Sequence, residues 1–465
     1  MPDNKMGVMP VKKLIVSMSL PMMVSMLVQA LYNVVDSIFV ARLSMDALTA
    51  VTLAFPMQNL MIALGAGTGV GVNALLSRSL GEKKQDRADA AACNGVFLAG
   101  CSAVLFFLIG AVASGPFIRT QTADAQIAAY GTTYLSIVAM CSVGLFFQVM
   151  LERLLQSTGR TFYSMISQMT GAIINIILDP VMIFGLLGCP AFGVAGAAYA
   201  TVIGQCVAAV TGLFLNLRKN DDVHLRMAHI LRPDKEVIGQ IFFVGVPSIL
   251  MMSIGSLMTY LLNRILGSFG AVTGAVAIAV FGAYFKLQSF FFMPVFGLNN
   301  GLIPVLAFNY GARKKERMKE ALTFSLMLAI AVMATGTVVM ELFPAGLLSL
   351  FADEGTNPDN YRAMMEMGIP ALRRIAIHFP IAALCIIMGS IFQALSKSYY
   401  SLVISIMRQL VALIPAAYLL ARTGDVGNVW WAFLIAETVS LVFSLVFFRR
   451  VYKTTVEVMP DSVST

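Results

Sequence analysis

Two aspartates stand where an acid is costly. Asp36 lies in the apolar tract LYNVVDSIFV and Asp179 in NIILDPVMIF, and a charged side chain at the centre of a membrane helix costs about 2.5–3.5 kcal/mol on insertion scales. Each therefore needs a partner or a ligand. Tyr32 comes four residues before Asp36 and Asn175 four before Asp179, a spacing that puts each pair on one helix face. With Thr201 added, two carboxylates, an amide and a hydroxyl offer oxygen ligands for a small hard cation, Na+ included, or two carboxylates that share a proton. The alternative is local: Asp36 bonded to backbone, and Asp179 capping a turn before Pro180.

The elements that must position these groups follow from composition. Of 465 residues, 58% are hydrophobic and 12% charged, with a mean hydropathy of +0.82, whereas soluble domains run nearer half apolar and a quarter charged. Most of the exterior must face lipid, which excludes a soluble enzyme and predicts an all-α polytopic membrane protein. Runs of roughly 20 apolar residues can span a bilayer. They occur near 15–40, 50–76, 91–113, 127–152, 163–186, 192–217, 238–266, 275–303, 320–343, 362–392, 398–421 and 427–448, which predicts twelve transmembrane helices. Helices one and five run the same way, with Asp36 and Asp179 about two-thirds along. Helix six runs back, so Thr201, early in its span, reaches a similar level.

A net charge of +8 would suggest nucleic acid if the basic residues formed one stripe, but they lie in short clusters between spans. Twenty-three of the 32 Lys+Arg fall in seven alternate segments, including Arg78–Arg87, Arg218–Lys235 and Arg313–Lys319. Basic residues are retained on the cytoplasmic side, so both termini are expected inside, and the start MPDNKMGVMPVKK leads into an uncleaved first span. These clusters are expected to fix topology and touch anionic lipid. The six cysteines form no CxxC pair, and with three His and neither HExxH nor GxSxG no cofactor, disulfide framework or enzyme active site is indicated.

The chain also repeats itself. GTGVGVNALLSRSLGEKK from Gly67 aligns with GLNNGLIPVLAFNYGARKK from Gly297, pairing Gly67, Gly71 and Gly81 with Gly297, Gly301 and Gly311, and QSTGRTFYS from Gln156 parallels QALSKSYYS from Gln393. Two six-helix lobes related by a pseudo-twofold axis along the membrane normal are predicted, with a cavity between them. The boundaries are 1–220 for the N-terminal lobe, 221–236 for the linker, 237–450 for the C-terminal lobe and 451–465 for the tail. The glycine spacing is a packing signal. Pro21, Pro56, Pro180, Pro247, Pro294, Pro304, Pro370, Pro380 and Pro415 interrupt spans and are expected to kink some of them.

The second half carries Arg264, Lys286, Arg373, Arg374, Arg408 and Glu437 within spans. Pairing is the expected reading, with Glu437 neutralising Arg408 and Arg374 sharing a helix face with His378. The alternative is that Lys286 or Arg374 lines the cavity. The candidate substrate wall is Met252, Met258, Lys286, Gln288, Phe292 and Arg374, because soft Met and aromatic side chains repack around different ligands; the alternative for the Met and Phe residues is ordinary lipid-facing and interhelical packing, common in apolar helices.

The tract YNVVDSIFVARL, the segment NIILDPVMIFG…GVAGAAYATVIGQ and the repeated GEKK/GARKK loops resemble the multidrug and toxic compound extrusion (MATE) family, most closely its MepA-like bacterial branch. The resemblance covers essentially the whole chain. It implies a secondary active antiporter of the bacterial cytoplasmic membrane, exporting organic, often cationic, compounds in exchange for Na+ or H+. The family's amino-lobe cation site carries over onto Asp36, Asn175, Asp179 and Thr201, with Tyr32 beside it. The sequence departs from relatives with acids in the second lobe, since the counterpart of Asp36 falls near Leu262 or Asn263. Expected partners are small organic substrates, the coupling cation and membrane lipid, with the chain acting as a monomer. A lipid-linked precursor flippase of the same superfamily is the alternative.

Overall fold

The computed structural model describes residues 4–351 and 358–459; the last six residues of the expected tail lie outside them. Among the described residues the chain is helical throughout, without a strand. In order the helices are α1 (Lys5–Val8), α2 (Val11–Leu43), α3 (Met45–Gly81), α4 (Gln85–Arg119), α5 (Ala125–Met140), α6 (Val143–Ser157), α7 (Thr161–Phe184), α8 (Val194–Lys219), α9 (Met227–Ile230) and α10 (Lys235–Gly267). They continue with α11 (Ala271–Gly311), α12 (Lys315–Leu342), α13 (Pro344–Leu348), α14 (Pro358–Ala376), α15 (Phe379–Ala394), α16 (Ser398–Ile406), α17 (Ile414–Ala421), α18 (Val426–Val429) and α19 (Trp431–Val451). Ten are long and apolar enough to cross a membrane, and two bent pairs bring the spans to twelve.

The sharp breaks are not where most prolines are. Pro21, Pro56, Pro180, Pro247, Pro294 and Pro304 sit inside continuous helices, so none of them ends its helix. The sharp breaks are 47° between α5 and α6 and 45° between α14 and α15. The second has a local cause, since Pro380 has no N–H to give the Ala376 carbonyl and so fits only the first turn of a new helix. That break also overturns the shared face expected for Arg374 and His378, because α14 ends between them. Pro415 acts more gently: residues Met407–Leu413, just before it, widen into a π-helical stretch, which accommodates a carbonyl that proline cannot satisfy.

The internal repeat is repeated in the backbone. Lys83 and Arg313, equivalent in the alignment, both take left-handed φ values, 57° and 58°. The following amides bond alike, Lys84 N–H to Ser79 O at 3.0 Å and Lys314 N–H to Asn309 O at 2.9 Å. Gly159 and Ser396, likewise equivalent, are both left-handed at 87° and 59°. The broken fourth span has its counterpart in the broken tenth. The architecture is twelve membrane helices in two lobes, α2–α8 and α10–α19.

The lobes meet along α2 with α11 and α3 with α10. Small residues make this possible: a methyl on Gly71 would overlap the Ile241 carbonyl, one on Gly301 would press on Ser19, and Gly81 and Gly311 each lie against a carbonyl of the opposite repeat, Phe308 and Arg78. All seven segments that carry the basic clusters gather at this one end. Lys314 Nζ reaches Gly7 O at 2.8 Å, Arg160 Nη2 reaches Asp222 at 3.3 Å, Lys397 Nζ reaches Thr455 Oγ1 at 2.7 Å, and the Arg78 guanidinium lies 5.0 Å over the Tyr310 ring. This basic end is where the lobes are closed against each other.

Candidate functional site

The N-terminal lobe builds its polar centre where α7 and α8 cross. Gly171 and Gly204 face each other so closely that a methyl on Gly204 would lie 2.8 Å from the Gly171 carbonyl and 3.1 Å from Asn175 Cβ. That approach carries Thr201 to Asn175. On the other side α2 is held to α7 by Thr161 Oγ1 donating to Ser17 O at 3.3 Å and by Gln168 Nε2 donating to Gln29 Oε1 at 3.0 Å. One and two turns beyond Gln29, α2 presents Tyr32 and Asp36 to the same place.

All five residues singled out in the sequence come together there. Asp179, Asn175 and Thr201 are buried. The carboxyls of Asp36 and Asp179 lie against each other, with Tyr32 beside the Thr201 hydroxyl. With the Asn175 amide turned to satisfy both of its ends, Nδ2 donates to Asp179 Oδ2 and Oδ1 accepts from the Thr201 N–H, each at 3.0 Å; amide orientation is assigned from such networks. Oδ1 of Asp36 and Oδ1 of Asp179 are both buried without a hydrogen-bond partner. A buried carboxylate set against a half-buried one, each with a buried bare oxygen, is poorly stable as two anions, so the arrangement calls for a proton or a cation between them. Its donors are all oxygens apart from one amide nitrogen, a set suited to a hard monovalent cation or a proton. No cluster of three His, Cys, Asp or Glu able to hold a metal occurs among the described residues.

Sequence reasoning missed the next layer. Tyr134 on α5 is buried and lies within electrostatic reach of Asp36, Tyr32 and Asp179, and its hydroxyl accepts from Gln58 Nε2 at 3.2 Å. The signal available was a tyrosine inside an apolar span, whose hydroxyl must find a partner when buried.

Among the described residues the second lobe has no equivalent acid pair. Leu262 is fully buried, and Asn263 keeps its Oδ1 buried and unpartnered. Its charges pair only in part: Arg408 Nη1 lies 3.4 Å from Glu437 Oε2, as expected, and Arg373 Nε lies 3.8 Å from Glu341, whereas Arg264, Lys286 and Arg374 form no ion pair among the described residues. The candidate substrate residues have different surroundings. Met252 is exposed and Met258 buried in lobe packing. Gln288 accepts from the Tyr284 hydroxyl at 2.7 Å, and Phe292 packs on His378 and Phe379. Lys286 is exposed, 5.8 Å over the Phe351 ring, while Arg374 donates to the Gly427 carbonyl and lies over Trp431.

Comparison with known proteins gives the chain a family. The MatE family profile covers residues 21–181 and 247–419. The multidrug export protein MepA of Staphylococcus saprophyticus is 25% identical over 422 residues, 90% of each chain, and MepA of Staphylococcus aureus strain MRSA252 is 26% identical over 430 residues, 92% of this chain and 91% of that one. Among solved structures, an outward-facing multidrug resistance MATE family transporter of the MOP superfamily superposes with a TM-score of 0.90 at 25% identity, covering 98% of this chain and 99% of that one. A MOP superfamily transporter from Pyrococcus furiosus, described as having a binding pocket of reversed polarity, gives 0.90 at 26% identity with the same coverage. This multi-pass membrane protein belongs to the MatE family, whose members are transporters and not enzymes.

Proposed function

We propose that the protein exports organic, typically cationic, compounds across the bacterial cytoplasmic membrane in exchange for Na+ or H+. The lobes, residues 1–220 and 237–450, rock about the 221–236 connection, the chain works as a monomer, and both termini are cytoplasmic. The observation that carries this reading is the contact between Asp36 and Asp179, with an unpartnered buried oxygen on each. An ion can drive transport only if it binds the two states of the carrier unequally. Asp36 comes from α2 and Asp179 from α7, so any bending of α2 during the cycle changes the spacing of the two carboxylates and with it their hold on the ion. With the basic end inside, the described conformation is closed to the cytoplasm, and the coupling pair lies in the half of the lobe facing outward. An external ion taken up there displaces substrate outward, and the carboxylates release it after the lobes have turned.

Multidrug export by MepA relatives supports the substrate class. A flippase for phosphate-bearing lipid precursors would need Arg264, Lys286 and Arg374 free to face a cavity. Arg374 is engaged by Gly427 and Trp431, and Arg264 lies exposed in the last turn of α10, where a cation suits the helix C-terminus. The test is dye efflux from proteoliposomes under an imposed Na+ gradient and, separately, an imposed pH gradient. Export driven by one of them is expected, and export driven by neither overturns antiport.

A further inference from the structure

The segments leading into the first helix of each lobe are tied to the opposite lobe. α1 precedes α2 of the N-terminal lobe, yet the C-terminal lobe holds its carbonyls. Arg317 Nη2 donates to Met6 O at 3.1 Å and to Met9 O at 2.6 Å, Asn309 Nδ2 donates to Met6 O at 3.1 Å, and Lys314 Nζ donates to Gly7 O at 2.8 Å. At its other edge α1 stays with its own lobe, because Asn4 Nδ2 donates to Thr158 O at 3.1 Å while Asn4 Oδ1 caps the Met6 N–H at 3.0 Å. Met6 is wholly buried.

The pseudo-twofold axis produces the counterpart. Arg87, aligned with Arg317 through the paired Gly81 and Gly311, donates from Nη2 to Gln240 Oε1 at 2.8 Å in the second turn of α10. The linker before α10 is fastened to α4 of the N-terminal lobe. Gln85 Nε2 donates to Asp222 O at 3.0 Å, the His224 N–H to Asp89 Oδ1 at 2.9 Å, and the Asp234 N–H to Asn94 Oδ1 at 2.9 Å. The basic clusters therefore do more than set topology, since Arg87 and Arg317 spend their guanidinium donors on the other lobe.

We propose that these two segments are a matched pair of straps that hold the lobes together at the basic end and must release before that end opens. The inference rests on alternating access. If the lobes part there, α1 is carried off with α2 and Thr158, so its bonds to Asn309, Lys314 and Arg317 break and Met6 leaves its pocket; the linker loses Gln85, Asp89 and Asn94 in the same motion. The straps bias the carrier toward the state closed at the basic end, and their loss shifts the population the other way.

The test is hydroxyl-radical footprinting of the full chain in nanodiscs, read at Met18 and Met22, which are buried beside Gly301 and Gly297 at the crossing of the lobes. Arg317→Ala and Arg87→Ala are each expected to raise oxidation of Met18 and Met22 several-fold, although Arg87 lies at the other strap. Asn4→Ala, a milder change, is expected to raise it less, with the melting temperature recording that the fold persists. A rise confined to Met6 and Met9 means local fraying and overturns the proposal. So does wild-type oxidation of Met18 and Met22 that responds to Na+, pH or a transported dye while the variants leave it unchanged. If wild-type oxidation responds to none of these, alternating access falls and the straps with it.

Discussion

The carboxyl groups of Asp36 on α2 and Asp179 on α7 lie against each other, and each leaves Oδ1 buried without a partner. Groups that hold one ion between them act as a unit, and units are non-additive under mutation. Asp36→Asn and Asp179→Asn are each expected to abolish ion-driven dye export while the protein still reaches the membrane, and the double variant to be no worse than either single. Undiminished export by either single variant would refute the shared role.

The groups around the pair should tune it and leave it working. Tyr32 lies beside Thr201, and Thr201 meets Asn175. Thr201→Val removes a hydroxyl at nearly constant volume, and one net hydrogen bond contributes about 0.5–1.5 kcal/mol. Half-saturation by the driving ion is thus expected to rise by up to roughly tenfold at little cost in maximal rate. Ion titration of transport checks this, and an unchanged half-saturation would separate Thr201 from the site.

The convergence of Asp36, Asn175, Asp179 and Thr201 was legible because helical spacing and depth in a bilayer are both one-dimensional quantities that a sequence carries. The twelve spans were legible for the same reason. The sharp breaks were not: Pro21 and Pro180 lie inside continuous helices, where neighbouring helices and side chains can support the freed carbonyl. The break between α5 and α6 has no proline at all. Tyr134 and the cross-lobe bonds of Arg87 and Arg317 depend on which helices become neighbours, which no local pattern states.

Arg408 and Glu437 form the ion pair of the second lobe, with Glu437 Oε1 buried and unpartnered. Removing one member of a fully buried pair costs about 3–5 kcal/mol. The cost should be smaller here because the Arg408 side chain is 31% exposed. Arg408→Met is expected to lower the melting temperature, and adding Glu437→Leu to restore much of the loss, since an apolar pair leaves no stranded charge. A double variant no more stable than Arg408→Met would show that the pair does something other than neutralise itself.

Glu82 caps α3 at the basic end, 2.8 Å from Arg78 Nε and 2.9 Å from Lys84 Nζ. Partial burial would raise its pKa, but the two cations outweigh that and hold it below the usual glutamate range. A carboxyl depressed in the folded state adds stability above its unfolded pKa of about 4.3 and loses it as pH falls through the folded value. Glu82→Gln is therefore expected to lower the melting temperature at neutral pH, with the gap from wild type closing under acid conditions. A gap independent of pH would assign the effect to packing.

Gly71 offers a steric test of lobe closure. Its Cβ position is filled by the Ile241 carbonyl of the opposite lobe, and a carbonyl held in its own helix cannot turn aside as a side-chain tip can. Gly71→Val must push α3 off α10 at the basic end. Overpacking costs about 1–3 kcal/mol, and because the strain is relieved when the lobes part, it falls on the closed state alone. That difference corresponds to roughly a 5- to 150-fold shift between two states. Gly282→Ala is the control, since nothing lies near its Cβ position. Export is expected to fail in Gly71→Val and persist in Gly282→Ala, with Met18 and Met22 oxidised faster only in the first. Normal export by Gly71→Val would mean that this contact is not part of the gate.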